Sequence, residues 1–286
     1  MARIDSLSIE LQGQLGNDKL AEEYGKVIEN VMANTLSTRL KNQNLSGDPT
    51  AGTIEAKRFT NVSGKSYGTA RSGHEGQKIK ADPVVIAIND DTEYLSEVEE
   101  KDITMYGVGG LIERQMAEHQ RGFEAELEDK FFAEAVNKGT SFTPTGTNPS
   151  IEDEIEQAIQ TIEGTKNAYV RGVPRNMINV VMSNEYYGKL RNKINSISNS
   201  NDLGQVKDYE EGTFNNTKVF SSVFLPQGIN YVVMIDGAVA QPVRTSEYAP
   251  RKVEFSDATA FGFFAYKGTK AVTPDLIIYN GSVVSL

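Results

Sequence analysis

The residue types that most often carry chemistry are scarce in this chain. Its 286 residues include no cysteine and two histidines, His74 and His119. The lack of cysteine excludes disulfide scaffolds, iron–sulfur clusters, thiol enzymes and cysteine-ligated zinc. His74 has no partner at ligand spacing, and His119 lacks the HExxH spacing of a zinc protease. We therefore expect no histidine-based metal site and place His119 on a surface.

Three stretches imitate ligand-binding motifs, but each lacks a required residue. Val62–Ser66 resembles the end of a phosphate-binding loop, yet Phe59 stands where its first glycine belongs. Gly107–Gly110 opens a helical pattern without the preceding strand of a dinucleotide-binding fold. Asn89–Glu93 is acidic enough for calcium, but Tyr94 follows where an EF-hand loop needs glycine. The sequence thus predicts no catalytic residue, no cofactor and no metal, and indicates that the protein is not an enzyme.

The overall composition limits the class of protein further. Apolar residues make up 38% of the chain and charged residues 24%, which is ordinary for a globular protein of about two domains. The net charge of −10 argues against nucleic acid as an attractive ligand. Apolar runs are too short to span a bilayer, and the first residues lack the pattern of a signal peptide. We expect a soluble protein made in the cytoplasm.

One basic segment stands out in this acidic chain. Thr53–Thr60 and Pro83–Asn89 alternate or are β-branched like strands, and the polar stretch Asn61–Asp82 between them makes a long hairpin. An isolated hairpin is marginally stable in water, so this one is either a solvated loop or a contact with another chain. Its basic character favours the contact. The candidate contact residues are Lys57, Arg58, Lys65, Arg71, Lys78 and Lys80.

Acidic residues and a long helix follow the hairpin. Glu97, Glu99 and Glu100 belong to an acidic stretch, Glu93–Asp102, which could receive the basic hairpin of a neighbour. Met105–Asn137 carries apolar residues at a helical period and predicts a helix about 45 Å long, with its carboxylates on the opposite face. We expect a hinge at its start, formed by Gly107, Gly109 and Gly110.

The remaining segments predict an α+β fold. At the N-terminus, the first fifteen or so residues are either a frayed end or an arm that orders on a partner, and a helix is expected over 20–31. The connector Thr140–Pro149 precedes a helix that Ser150 caps. We expect helices over Ile151–Glu163 and Asn184–Ile194, and strands over Asn179–Met182, Lys218–Phe224, Tyr231–Ile235, Val253–Phe255, Phe261–Tyr266 and Leu276–Tyr279.

The order of these elements resembles the major capsid protein of tailed double-stranded DNA bacteriophages, with the Hong Kong 97-type fold. Local segments are similar too: Asn179–Leu190 looks like the family's strand and helix in the axial domain, and Asn216–Pro226 like its strand with a proline turn. Tyr231–Gly237, Phe261–Gly268 and Pro274–Tyr279 resemble its closing strands. Encapsulin nanocompartment shells share this fold and remain the alternative.

The resemblance implies a domain organisation and a function. It implies an N-terminal arm at 1–50, an extended hairpin loop at 51–92, a peripheral domain with a spine helix at 93–149, completed by about 265–286, and an axial domain at 150–264. The subunit would form hexamers and pentamers of an icosahedral shell in a virion, assembled in the bacterial host cytoplasm. Its partners would be itself, a separate scaffolding protein, a portal, and packaged DNA without sequence-specific binding.

Overall fold

A computed structural model of the chain describes residues 35–46, 52–62, 80–99, 108–196 and 212–283. The predicted helix over 20–31, the tip of the basic hairpin and the segment from 100 to 107 lie outside the described residues. The helices are α1 Leu36–Leu40, α2 Val108–Lys138, α3 Ile151–Glu163 and α4 Asn184–Ser196, with short 3-10 turns at Arg175–Met177 and Pro274–Leu276. We call α2 the spine helix.

The strands are short and most follow the predicted segments. In chain order they are β1 Leu45–Ser46, β2 Thr53–Phe59, β3 Ala81–Ala87, β4 Asp90–Val98, β5 Thr140–Ser141, β6 Ile178–Met182, β7 Gly212–Phe214, β8 Thr217–Ser221, β9 Ile229–Ile235, β10 Val239–Ala240, β11 Val243–Lys252, β12 Thr259–Lys267, β13 Lys270–Ala271 and β14 Ile277–Gly281. We call β2 and β3 with their connection the basic hairpin.

The chain divides into two units. The first comprises residues 1–39, 87–130 and 241–269. In it, β11, β12 and β4 form an antiparallel sheet with β12 at the centre. Alternate residues of β12, Phe261 and Phe263, pack against Phe123 and Leu127 of the spine helix. At Gly262 a Cβ would lie 2.0 Å from the carbonyl oxygen of Tyr94, so this strand contact requires glycine.

The second unit comprises residues 40–86, 131–240 and 270–286. Its main sheet has six strands in the order β5-β14-β9-β6-β8-β7. The central strand β6 is buried at every position, as a continuous apolar run predicts. Ile155, Ile159 and Ile162 of α3 recur at helical spacing and pack on this sheet. The Ser150 hydroxyl accepts a hydrogen bond from the Asp153 amide, which confirms the predicted cap.

Smaller sheets complete the second unit. β1, β2 and β3 form a three-stranded sheet, and β10 pairs with β13. Ala56 of β2 and Ile86 of β3 are buried together with Ala240 and Val272. The base of the basic hairpin therefore packs on a core formed by its own chain.

Strand pairing joins segments that are distant in sequence. The last strand, β14, pairs with β9 in the second unit. In the first unit, β12 pairs with β11 on one side and with β4 on the other. The predicted domain boundaries stay a prediction. The predicted strand Val253–Phe255 is wrong, because these residues form the turn between β11 and β12.

Candidate subunit interface

The described part of the basic hairpin presents a face of mixed charge to solvent, on which Glu55 and Asp82 are exposed as well as lysines. Residues of β2 alternate, with Ile54 and Ala56 buried while Lys57 and Phe59 are exposed. Lys80 is also exposed, just before β3 begins. Lys65, Arg71 and Lys78 lie outside the described residues. Lys57 and Lys80 are thus placed where a neighbouring molecule could meet them, and the contact itself stays a prediction.

Arg58 has a different role from the other basic residues of the hairpin. Its guanidinium lies 2.6 Å from the Asp275 carboxylate and stacks on the Tyr169 ring at 4.1 Å. The Tyr169 hydroxyl donates in turn to Asp82 of β3, at 2.5 Å. Burial alone would raise the pKa of Asp275, but Arg58 and Asn167 lower it overall. We call this set the hairpin clasp, since it ties both hairpin strands to their own unit.

Strand β4 carries the acidic surface. Its outward positions are Asp91, Glu93, Leu95 and Glu97, all exposed, because side chains alternate along a strand. Glu99 follows the strand and is exposed, whereas Glu100 lies outside the described residues. Three carboxylates in a row around one leucine give this edge a negative potential that would attract a basic partner.

The opposite face of β4 takes part in a buried ionic network with the spine helix. Lys267 of β12 is fully buried, and its Nζ lies 2.7 Å from Glu126 Oε1 and 2.7 Å from Thr92 Oγ1. Thr92 and Tyr94 also donate to the Glu126 carboxylate. Burial raises the pKa of Glu126, yet the three donors together lower it. We call these four residues the Lys267 network.

Two further titratable residues of the spine helix are buried, contrary to the charged face that the sequence predicted. Glu128 accepts a hydrogen bond from the Ser37 amide at 2.8 Å, and burial raises its pKa to about 7. His119 is buried rather than on the surface, 2.8 Å from the Ser96 hydroxyl and beside the Tyr94 ring. Burial lowers the pKa of His119. Burial therefore favours the neutral form of both the Glu128 carboxyl and the His119 imidazole.

The hinge glycines are only partly covered by the structure. Gly109 and Gly110 are in the first turn of the spine helix, and Gly107 lies outside the described residues. The hinge accordingly stays a prediction. Over the described ranges, no set of three metal-ligating side chains converges, and none of the helices there has the length and hydropathy to cross a membrane.

Sequence reasoning missed the clasp and the Lys267 network for different reasons. The burial of Lys267 could have been predicted from the sequence, because Lys267 continues the alternation that points Phe261, Phe263 and Ala265 inward. A lysine at such a position needs a buried partner. The pairing of Arg58 with Asp275 had no local signal, since the two residues are 217 positions apart.

The comparisons with known proteins agree with this architecture. By sequence, no family model and no curated protein matches the chain. A chain from the structure of Mycobacterium phage Che8 has a TM-score of 0.60 at 15% identity, covering 86% of this chain and 90% of that one. A chain from the capsid of cyanophage P-SCSP1u has a TM-score of 0.60 at 16% identity, covering 88% and 89%.

A third similar structure is not described as a phage. A chain of a virus-like particle from Pyrococcus furiosus has a TM-score of 0.52 at 10% identity and covers 91% of this chain and 98% of that one. At such low identities, structural similarity establishes the fold. The chain has the Hong Kong 97-like fold of phage major capsid proteins, which confirms the fold that the sequence predicted.

Proposed function

We propose that this protein is the major capsid protein of a tailed double-stranded DNA bacteriophage. Its copies would assemble as hexamers and pentamers into the icosahedral head that encloses the genome. The observation that carries the proposal is the similarity to the Che8 and P-SCSP1u chains over 86% and 88% of this chain. The role is structural, and we assign no catalytic step to the chain.

Such a shell implies further partners. We propose a separate scaffolding protein during assembly in the bacterial host cytoplasm, and a portal in the finished virion. The packaged DNA would be enclosed without sequence-specific contacts, because a subunit with a net charge of −10 repels phosphates rather than binding them.

The function is tested by the state of the full-length chain after expression. We expect shells, tubes or capsomers in negative-stain images and fast-sedimenting material on a gradient. A chain that stays monomeric at every concentration, with and without its scaffolding protein, would contradict the proposal.

A shell without a viral genome is the second candidate. It is favoured by the similarity to the Pyrococcus furiosus virus-like particle, which covers 98% of that chain. Gene neighbours separate the two: portal and terminase genes support the phage head, whereas a neighbouring cargo enzyme supports an encapsulin-like nanocompartment.

Within the shell, we propose that the basic hairpin of one subunit lies across the acidic surface of the next. The exposed Lys57 and Lys80 would face the carboxylates of Glu93 and Glu97. Each exposed ion pair contributes only ~0.2–1 kcal/mol. The contact recurs at every subunit of a closed shell, so small contributions act together on assembly.

A charge swap tests this contact. Lys57→Glu/Lys80→Glu should leave the subunit folded and raise the protein concentration needed for assembly, while adding Glu93→Lys/Glu97→Lys should recover part of the loss. High salt should reduce both effects. The control reverses Lys138 and Lys218, which are exposed elsewhere in the second unit. Equal assembly of the hairpin variant and the control at low salt would mean that the hairpin lysines are merely solvated.

We further propose that the hinge acts in maturation of the precursor shell. Gly107, Gly109 and Gly110 would absorb backbone rotation at the start of the spine helix as the shell expands. Structures of the precursor and the expanded shell test this, and identical backbone angles at these glycines in both would refute it.

A further inference from the structure

A carboxyl group of the spine helix holds the start of α1. Glu128 is 3% exposed, and its Oε1 accepts a hydrogen bond from the Ser37 amide at 2.8 Å. The amides in the first turn of a helix have no partner within the helix, so this carboxyl supplies one from outside. The Leu36 amide interacts with the same carboxyl. The start of α1 is therefore attached to the spine helix through a titratable side chain.

The surroundings of this carboxyl do not suit a negative charge. Glu128 Oε2 is fully buried and has no hydrogen-bond partner among the described residues. A buried carboxylate is costly, because the interior solvates charge poorly. Burial raises the pKa of Glu128 to about 7, although the amides of Leu36 and Ser37 favour the charged form. The carboxyl therefore loses its proton near neutral pH.

The charged groups around Glu128 do not compensate its negative charge. Those on the neighbouring turns of the spine helix and on the segments packed there are Glu124, Glu126, Asp129, Lys130, Arg39, Lys41, Asp90 and Lys267. Asp129 raises the pKa of Glu128 further. The cations have other positions: Lys267 binds Glu126, Lys130 binds Asp90, and Arg39 is exposed. Burial lowers the pKa of Lys41, and neither Arg39 nor Lys41 forms an ion pair with Glu128.

The other end of α1 is held by groups that do not titrate. The Gly237 amide donates to the Leu40 carbonyl at 2.8 Å, and the Asn42 amide donates to the Val239 carbonyl at 2.8 Å. The Asn42 side chain also donates to the Gly237 carbonyl, at 3.0 Å. These contacts do not depend on pH. Release at Glu128 would therefore free the start of α1 and leave its end in place.

We propose that Glu128 is a protonation switch for the N-terminal arm, in which the neutral carboxyl keeps the start of α1 on the spine helix and the carboxylate releases it into water. The proton passes to solvent, and the freed carboxylate is hydrated. With five residues, α1 is too short to be stable on its own, so its first turn should lose order without this contact.

The switch acts on the segment that precedes α1 in the sequence, residues 1–34. It decides whether the end of this segment is held by its own subunit or is free to meet a partner. The device lies within a single subunit, so it goes beyond the shell function and does not depend on it.

Linkage between protonation and docking gives the size of the effect. The pKa of the released Glu128 carboxyl would be the ordinary 4.5, and burial raises it to about 7 in the docked state. The docked state therefore binds the proton more tightly, and docking weakens as the pH rises. From about pH 6 to about pH 8, the equilibrium should shift toward the released state by about tenfold.

Amide hydrogen exchange of the unassembled subunit tests the switch. The amides of Leu36 and Ser37 should lose about tenfold in protection from about pH 6 to about pH 8, after correction for the intrinsic exchange rate. The amides of α3 serve as the internal reference and should keep their protection. Glu128→Gln keeps a neutral acceptor for the Ser37 amide, so in this variant the protection of α1 should not depend on pH.

The matched control is Glu124→Gln, which removes a carboxylate one turn earlier on the same helix and should retain the tenfold change. Protection of α1 that does not change with pH in the unaltered protein overturns the switch, whether or not any variant folds. An equal change in the unaltered protein and in Glu128→Gln also overturns it, because another group would then titrate. So does an equal loss in α1 and α3, since pH would then act on the whole subunit. All these outcomes are visible in subunits that form no particle, so failure of the shell function is seen separately.

Discussion

The Lys267 network allows a quantitative prediction, because its two charged members differ in burial. Lys267 is 0% exposed, whereas the Glu126 side chain is 23% exposed. Replacing one partner of a buried ion pair leaves the other charge in the interior and typically costs about 3–5 kcal/mol. The outcome should therefore depend on which partner is removed.

Removing the lysine should be the milder change. In Lys267→Met the Glu126 carboxylate keeps its hydrogen bonds from Thr92 and Tyr94, and it still reaches solvent. We expect a loss of about 2 kcal/mol, comparable to one hydrogen bond to a charged group.

Removing the glutamate should be more severe. In Glu126→Leu the Lys267 ammonium retains Thr92, and Asp90 lies 4.0 Å away, but the ammonium has no exposed surface. We expect the loss of free energy of unfolding to approach 3–5 kcal/mol. In the double variant, removal of both charges should cost less than the sum of the single changes, by about 1–3 kcal/mol.

Urea denaturation of the unassembled subunit, followed by circular dichroism, measures these losses. The matched control is Lys130→Met, since Lys130 pairs with Asp90 at 3.1 Å but its side chain is 50% exposed. That change should cost less than about 1 kcal/mol. The same loss of free energy of unfolding in Lys267→Met, Glu126→Leu and Lys130→Met would show that burial does not determine the contribution of the Lys267 network to stability.

Three further predictions concern other parts of the chain. Burial raises the pKa of Glu128 from 4.5 to about 7 in the folded state, so the stabilisation from its protonated carboxyl is lost as the pH rises between these values. The melting temperature of the Glu128→Gln variant should therefore fall less over this pH range than that of the unaltered protein. Asp275→Asn should weaken the hairpin clasp by about 1–2 kcal/mol and so speed amide hydrogen exchange in Thr53–Phe59. An unchanged exchange rate would show that the pairing of Arg58 with Asp275 does not hold this strand in place. Ser150→Ala should cost about 1 kcal/mol in thermal unfolding and Ser150→Asp almost nothing, because aspartate also caps a helix; equal losses would refute the cap.

Elements with strong local signals were predicted well from the sequence. The bounds of α3 are confirmed, since Ser150 caps its start and its isoleucines recur on one face. Strand β11 was missed because Pro250 interrupts it and proline normally breaks a strand. In the structure β11 is an edge strand with an irregularity between Tyr248 and Arg251, which is where a sheet tolerates proline.

Sheet membership was beyond the reach of local patterns. The alternation of β12 and the apolar run of β14 both predict strands, but neither specifies its partner strand. The structure pairs β12 with β4 and β14 with β9, which places them in different units. Such pairings depend on contacts distant in sequence, so the partner of each strand was less predictable than the strand itself.

The clasp has a consequence for any mutational study of the basic hairpin. By sequence, Arg58 is one of six equivalent basic residues, yet its guanidinium already binds Asp275 and stacks on Tyr169 within the same chain. Reversing its charge would place two carboxylates together and loosen the hairpin base, which would impair assembly even if no neighbouring subunit ever touched Arg58. Lys57 and Lys80 are exposed, so reversing their charges leaves the clasp intact. An assembly defect in Lys57→Glu/Lys80→Glu therefore reports on contacts between subunits, whereas the same defect in an Arg58 variant does not.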